Sequence, residues 1–273
     1  MEISPITDEQ FLRFKDLIYK EAGISLAAQK KALVAGRLAK RLKHYQLQDY
    51  GQYYRLLNQP QHSGEFQMMV DLLTTNETYF FREPQHFDFL RDVVLPAKRG
   101  QDINIWSAAC SSGEEVYTLA MVLADKLGKS PWQVMGSDIS TRMLQSCERA
   151  VYPLSRASHM SDYFLRKYCL KGVREQEGML LIDRRLRERC SFRKINLMET
   201  LPSMAKFDVI FVRNVMIYFD APTKTRVVDR LLQALKPGGY LITSHSESLH
   251  GISDAVRMVK PSIYQKPERA ART

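Results

Sequence analysis

The sequence predicts an α/β protein: a mainly parallel sheet with helices on both faces, preceded by a small all-helical domain. Three observations carry this. Before about residue 100, apolar residues recur at helical spacing and no stretch alternates. From Ile103 onward, short apolar runs alternate with helical patterns, as a parallel sheet requires. The 273 residues are 45% apolar, enough for one large domain or two small ones.

In the N-terminal part, Phe11, Phe14, Leu17 and Ile18 make one helical face, and Thr7 or Asp8 can cap its start. Lys30 to Tyr45 is a second helix. Val34, Leu38, Leu42 and Tyr45 form its apolar stripe, and Lys30, Arg37, Lys40, Arg41 and His44 the adjoining one. Asp49 to Leu57 and Phe66 to Leu73 are shorter helices. The expected domains are a helical unit over 1–75, a linker over 76–100 and an α/β domain over 101–273.

In that last domain INIWSA, WQVMGSD, FRKINL, FDVIFVRN and GYLITS read as strands. Glu114 to Leu127, Ser140 to Ala150 and Pro222 to Leu235 read as helices. The connection from Val151 to Cys190 is too long for a simple crossover. Within it GMLLIDRRLRERCSF looks strand-like, so an inserted antiparallel subdomain is expected at about 165–192. The polar tail PERAART is expected to be disordered.

Composition excludes several classes. No apolar run reaches the roughly 18 residues that span a bilayer, so no membrane insertion is expected. The first residues, MEISPITDEQF, lack the pattern of a signal peptide. Four scattered cysteines without a C-x-x-C pair, and six histidines without H-E-x-x-H, argue against a disulfide framework and a metal site, and for a reducing cytoplasm. The net charge of +10 calls for an acidic partner. Most of it sits in two stretches, Lys30 to Tyr45 and Arg156 to Lys194, which suggests docking surfaces.

The loop after the first strand, SAACSSGEE, has the small residues of a phosphate cradle but a single glycine, Gly113. It also carries Glu114 and Glu115 at the helix start. Carboxylates repel a pyrophosphate, so the ligand should lack phosphate and carry positive charge. The same pair could simply favour the helix dipole. Asp138, at the end of the second strand, is placed to bind ribose hydroxyls, and is equally a cap for the helix at Ser140. A nucleoside with a cationic end, as in S-adenosylmethionine, suits both acidic features.

The order of elements, with LKPGGYL near the C-terminus, resembles a class I S-adenosylmethionine-dependent methyltransferase, a Rossmann-like seven-stranded sheet whose last strand is antiparallel. TTNETYFFRE, WSAACSSGEEVYTLA, GSDIS, INLMETLP, FDVIFVRNVMIYF and SHSESL, together with the helical N-terminal domain, resemble the CheR family of chemotaxis-receptor glutamate methyltransferases over nearly the full length. The loop departs only slightly from the family pattern, reading GEEVYTL with Val116.

The resemblance implies that Asn76, Thr78 and Arg82 contact the cofactor, with Arg82 on its carboxylate. Glu114 matches the acidic cofactor ligand, with Glu115 the adjacent alternative, and Asp138 matches the ribose ligand. Asn196 and Leu197 match the adenine-side pair, Arg213 and Asn214 the pair closing the pocket floor. Tyr218 matches the tyrosine beside the reacting methyl. Arg213 and Tyr218 are the catalytic candidates, in geometric roles. S-adenosylhomocysteine is the implied product. The implied partner is the cytoplasmic coiled coil of chemotaxis receptors, whose acidic helical face Arg37, Lys40 and Arg41 would complement, the enzyme acting as a cytoplasmic monomer recruited to membrane receptor arrays. In some members the β-subdomain captures a receptor tail by adding a strand.

Two rival readings stand beside this one. A nucleic-acid methyltransferase would suit the basic pI. However, the [DN]-P-P-[YFW] motif is absent after FDVIFV, no cysteine follows the expected strand, and the basic segments lack interleaved aromatics. No stable nucleic-acid partner is therefore expected. A non-catalytic module that binds only cofactor or receptor would keep the same motifs.

Overall fold

The structure, a computed structural model, describes residues 3–128 and 130–268. Residues 269–273, most of the tail expected to be disordered, lie outside the described residues. Helix α1 (Asp8–Ala22) opens with a reciprocal cap: Thr7 Oγ1 accepts from the Gln10 amide, and Gln10 Oε1 accepts from the Thr7 amide. It ends at Gly23, whose φ of 70° is left-handed. Helices α2 (Lys31–His44), α3 (Tyr50–Leu57, capped by Asp49) and α4 (Ser63–Leu73) follow. Phe14, Ile18, Val34, Leu38, Leu42, Tyr53 and Met69 make a closed core, as the apolar stripes predict.

Residues 74–84 run without regular structure and include left-handed backbone at Phe81 and Glu83. A helical segment follows, Gln85–Phe89 continuing through a π turn at Leu90–Val94 to Leu95–Ala97. It leads into β1 (Ile103–Ser107).

The main sheet contains β1, β2 (Trp132–Asp138), β6 (Cys190–Lys194), β7 (Phe207–Phe211), β8 (Leu235–Ile242), β9 (Arg257–Lys260) and β10 (Ile263–Gln265), in the order β6-β2-β1-β7-β8-β10-β9. The pairs β6–β2, β2–β1, β1–β7 and β7–β8 are parallel. Strand β10 lies between β8 and β9 and runs against both. This is the predicted seven-stranded class I methyltransferase fold.

The apolar runs are continuous because both faces of the sheet are covered. Ile105, Val134, Val209 and Phe211 pack with Val116 and Leu119 of helix Glu114–Leu127. The alternate residues Trp106, Met135, Ile210 and Val212 pack with Val227, Val228 and Leu231 of helix Ala221–Ala234. One edge strand, β6, exposes Ser191, Arg193 and Lys194, charges that discourage further pairing.

The insertion differs from the sequence reading. A separate antiparallel sheet, β3-β5-β4, is built from β3 (Val151–Pro153), β4 (Cys169–Lys171) and β5 (Met179–Ile182), so its first strand precedes residue 165. GMLLIDRRLRERCSF is not one strand. Asp183 accepts from the Arg185 amide and starts a one-turn helix, Arg184–Arg187, and Cys190 onward belongs to the main sheet. An aspartate that captures a local amide competes with strand pairing, and alternation alone does not register it. Among the described residues no helix is long and apolar enough to cross a membrane.

Candidate active site

A cleft of about 960 Å³, open to solvent, lies at the carboxyl ends of β1, β2 and β7 and beside the residues following β6. This is where the strand order reverses, the usual ligand crevice of an open α/β sheet. The facing wall comes from the helical unit and its linker: Ala22, Ile24 and Thr74 to Tyr79. The two parts are tied together at the rim. Asn196 Nδ2 donates to the Glu21 carbonyl at 2.7 Å, the Ser25 amide to the Tyr218 carbonyl at 2.8 Å, and Tyr19 Oη to Asp220 at 2.7 Å.

The loop after β1 explains why phosphate is not its ligand. Three of its amides are already used: Cys110 N donates to the Ser137 carbonyl, Ser111 N to Asp138 Oδ2, and Gly113 N to the Cys110 carbonyl. Gly113 has φ 98°, and a Cβ there would meet Tyr152 Oη at 2.8 Å and Cys147 Sγ at 2.9 Å. Here glycine serves close packing, not a phosphate approach. Cys110 Sγ is buried 3.9 Å from Cys147 Sγ. That neighbour, together with burial, pushes its thiol well above the ordinary value, so it is no nucleophile.

The adjacent glutamates separate. Glu115 lines the cleft, accepting from Ser107 Oγ at 2.7 Å and from Arg213 Nη1 at 2.8 Å. Glu114 is not among the lining residues. It is 1% exposed and holds Ser112 Oγ at 2.6 Å and Arg156 Nη1 at 3.2 Å. Arg156 also donates to the Thr78 carbonyl, so Glu114 supports the far side of the cofactor-side segment. Burial raises the Glu114 carboxyl above its ordinary value despite Ser112 and Arg156. Of the two candidates for the acidic cofactor ligand, Glu115 is the one that lines the cleft, because successive helix residues point about 100° apart. Asp138 does line the cleft, accepting from Ser111 N on one oxygen and Ser140 N on the other, each at 2.9 Å, while the helix after it is capped by Ser140, whose hydroxyl accepts from the Met143 amide. Burial raises the Asp138 carboxyl, with the Ser140 and Ser111 amides opposing.

Every other matched residue, Asn76, Thr78, Arg82, Asn196, Leu197, Arg213, Asn214 and Tyr218, lines the same cleft. Arg82 donates to the Glu77 carbonyl at 2.9 Å and lies over the Tyr79 ring. Arg213, 6% exposed, donates to Glu115 and the Arg82 carbonyl, lies 3.4 Å from Glu83 Oε2, and stacks over Phe87. Its Nε has no hydrogen-bond partner among the described residues.

Sequence reasoning missed Glu247, which sets the cleft floor. Its buried carboxylate accepts from Asn214 N at 2.8 Å, Ile217 N at 3.1 Å, Ser244 N at 3.0 Å and Ser244 Oγ at 2.7 Å. This holds Asn214 in left-handed backbone (φ 57°) and the turn that carries Tyr218. SHSESL was the available signal and contains Ser244, but the partners that shape the floor, Asn214 and Ile217, lie about 30 residues away.

The basic stripe of α2 is partly internal. Arg41 forms a fork to Glu65 at 2.7 and 2.6 Å, which Tyr53 and Tyr45 also meet. Arg37 donates to the Leu73 and Thr74 carbonyls and Thr75 Oγ1. Lys40 is exposed, as are Lys30 and Lys43.

This donor set fits S-adenosylmethionine. It offers carboxylates at Glu115 and Asp138, guanidinium groups at Arg82 and Arg213 with one nitrogen still unpartnered, and apolar walls at Ile139 and Leu197. Three paired loop amides and a carboxylate lining the cleft disfavour a phosphate there.

Comparison with known proteins agrees. Residues 76–265 match the family model described as CheR methyltransferase, SAM binding domain, and residues 9–74 its all-alpha domain. The chain is 39% identical over 264 residues to a chemotaxis protein methyltransferase of Escherichia coli, covering 95% of this chain and 91% of that one. It is 40% identical over 265 residues to the chemotaxis protein methyltransferase of Klebsiella aerogenes, with 95% and 90% covered. It is 39% identical over 262 residues to chemotaxis protein methyltransferase 2 of Pseudomonas aeruginosa, with 94% and 93% covered.

Proposed function

Because the chain belongs to the CheR methyltransferase family, we propose that it methylates glutamate side chains of chemotaxis receptors with S-adenosylmethionine, forming methyl esters. The observation that carries the choice of acceptor is the lining of the cleft: among the described residues it holds no histidine or lysine, Glu115 and Asp138 are occupied by hydrogen bonds, and the one further carboxylate, Glu77, is exposed to solvent. An amine or hydroxyl acceptor would have to lose a proton. A glutamate, with an ordinary pKa near 4.3, is already a carboxylate at neutral pH.

Glu115 and Asp138 would hold the ammonium and ribose ends of the cofactor, Arg82 its carboxylate, and Leu197 and Ile139 its adenine. Bound there, S-adenosylmethionine supplies an electrophilic methyl on a sulfonium. The chain's own residues do the rest. Glu247 holds the turn that presents Tyr218. Arg213 fixes Glu115 and joins the Arg82 backbone to the floor. Arg37, reaching from α2 to the lip, adds positive charge beside Tyr218, where an incoming carboxylate is attracted and oriented. The segment Asn76–Arg82 closes over the cleft from the helical side and limits water.

On the receptor side, Lys40 with Lys43 would meet the acidic face of a coiled coil, while Arg37 and Arg41 shape the helix that presents them. One chain supplies the whole cleft, which supports action as a monomer in the cytoplasm, recruited to receptor arrays. Methyl-labelled S-adenosylmethionine with receptor-containing membranes tests this. Base-released volatile label on a receptor band is expected. Base-stable label would move the acceptor to nitrogen or nucleic acid, and cofactor binding without label would favour a non-catalytic module.

A further inference from the structure

Behind the floor of the cleft, Glu83, His86 and His245 bring a carboxylate oxygen and two imidazole nitrogens within 4.8 Å of one another. Two distant segments supply them: the end of TTNETYFFRE with the helix that follows it, and the loop after β8. Nothing in the proposed reaction uses the two histidines.

Ser262 Oγ lies 2.6 Å from the Pro261 carbonyl, to which it can donate, 2.7 Å from His86 Nε2 and 3.3 Å from His245 Nδ1. With its single proton on Pro261, its oxygen can accept from both imidazoles. Left-handed backbone at Ser262 (φ 60°) accompanies this placement. In the neutral tautomer that donates to Ser262, each imidazole has its proton on the nitrogen facing Ser262 and a lone pair on the other. Those bare nitrogens face one carboxylate: His86 Nδ1 lies 3.6 Å and His245 Nε2 3.9 Å from Glu83 Oε2. The His86 side chain is 1% exposed, and its Nδ1 has no hydrogen-bond partner among the described residues.

In that tautomer two lone pairs converge on a carboxylate oxygen that the His245 amide meets at 3.2 Å, and a cation would draw the three side chains together. We propose that Glu83, His86 and His245 bind a divalent transition-metal cation of the zinc class. Two imidazoles and one carboxylate are a ligand set that zinc accepts. Tetrahedral bonds of about 2.0–2.1 Å put ligand atoms about 3.3 Å apart, a small closure from the present spacing. Ser262 does what outer partners of metal-bound histidines do, fixing tautomer and ring orientation. His245, with its side chain 47% exposed, leaves solvent access for the ion and for a further ligand. Arg213 shares Glu83 Oε2 at 3.4 Å, which moderates the affinity and links the ion to the cleft.

The test is a titration of the untagged, chelator-treated full chain with zinc chloride against a competing chromophoric chelator. Wild type, His245→Ala and His250→Ala are compared; both histidines are exposed, and His250 lies outside the cluster. One tightly held equivalent is expected in wild type, weakened about tenfold or more in His245→Ala and unchanged in His250→Ala. Absence of stoichiometric binding in wild type, equal affinity in wild type and His245→Ala, or equal loss in both variants would overturn the site.

Discussion

The Arg213 guanidinium meets the Glu115 carboxylate at 2.8 Å, across 98 residues of chain, and the same guanidinium bonds the Arg82 carbonyl. One buried cation thus joins the loop after β1, the floor after β7 and the linker from the helical unit. A lysine has the charge but not the fork.

Arg213→Lys is expected to keep the fold while lowering kcat/KM by about a hundredfold, roughly 2.7 kcal/mol of barrier. Arg213→Ala should lose more, because Glu115 is left buried without its cation. Steady-state methylation beside thermal melting checks this. A drop in Tm that accounts for all the lost activity would make Arg213 merely structural.

The two adjacent glutamates should behave differently. Glu115→Gln is expected to weaken binding of S-adenosylmethionine about tenfold or more, roughly 1.4 kcal/mol, with little change in Tm. Glu114→Gln should leave affinity within about threefold, about 0.6 kcal/mol. Titration calorimetry on both variants decides, and the reverse order would return Glu114 to the cofactor.

Glu247 acts through the residues it holds. Glu247→Gln keeps some acceptor capacity but loses the charge that four donors share. A fall in kcat of about tenfold or more, at nearly constant cofactor Kd, is expected from misplacement of Tyr218. Equal effects on both constants would assign it a general packing role.

The Arg41–Glu65 pair gives a pH signature. Burial works against the Glu65 charge, but Arg41 and the tyrosines outweigh it and hold the carboxyl below its ordinary value. A depressed folded-state pKa means that the pair's contribution is complete above the ordinary carboxyl pKa. It is lost as pH falls through the folded value. Glu65→Gln should therefore cost about 2–3 kcal/mol at pH 7, and the gap to wild type should narrow below about pH 4. Denaturant melts at several pH values measure it. A gap independent of pH would mean that packing, not charge, is lost.

Lys40 tests the receptor face. Lys40→Glu should raise the KM for receptor membranes several-fold and weaken the salt dependence of the rate, leaving cofactor affinity unchanged. No change in either kinetic property would move docking away from α2.

Local rules made much of the molecule legible. The 3.6-residue stripe of Phe11, Phe14 and Ile18, the cap at Thr7 and the apolar runs of β1 and β7 each declare their element within a few residues. Because ligands bind at strand ends in such a sheet, Asp138 was legible from its position, whereas Asn196, Arg213 and Asn214 came from the family resemblance; all four line the cleft. The boundary of the insertion did not follow: Asp183 stops β5 by a side-chain bond to the Arg185 amide that alternation does not express.

By itself the sequence determined the main helices and the strands β1, β2, β6, β7 and β8, the family, and a cofactor with a cationic end in place of phosphate, because periodicity, caps and unlike charges act over a few residues. Only the tertiary structure decided which of Glu114 and Glu115 faces the cleft, that Arg41 is matched by Glu65, that Glu247 shapes the floor, and that two histidines share a carboxylate with Glu83. Each of these depends on groups brought together from distant parts of the chain, or on which way a helix turns its next residue. Local spacing carries no record of either.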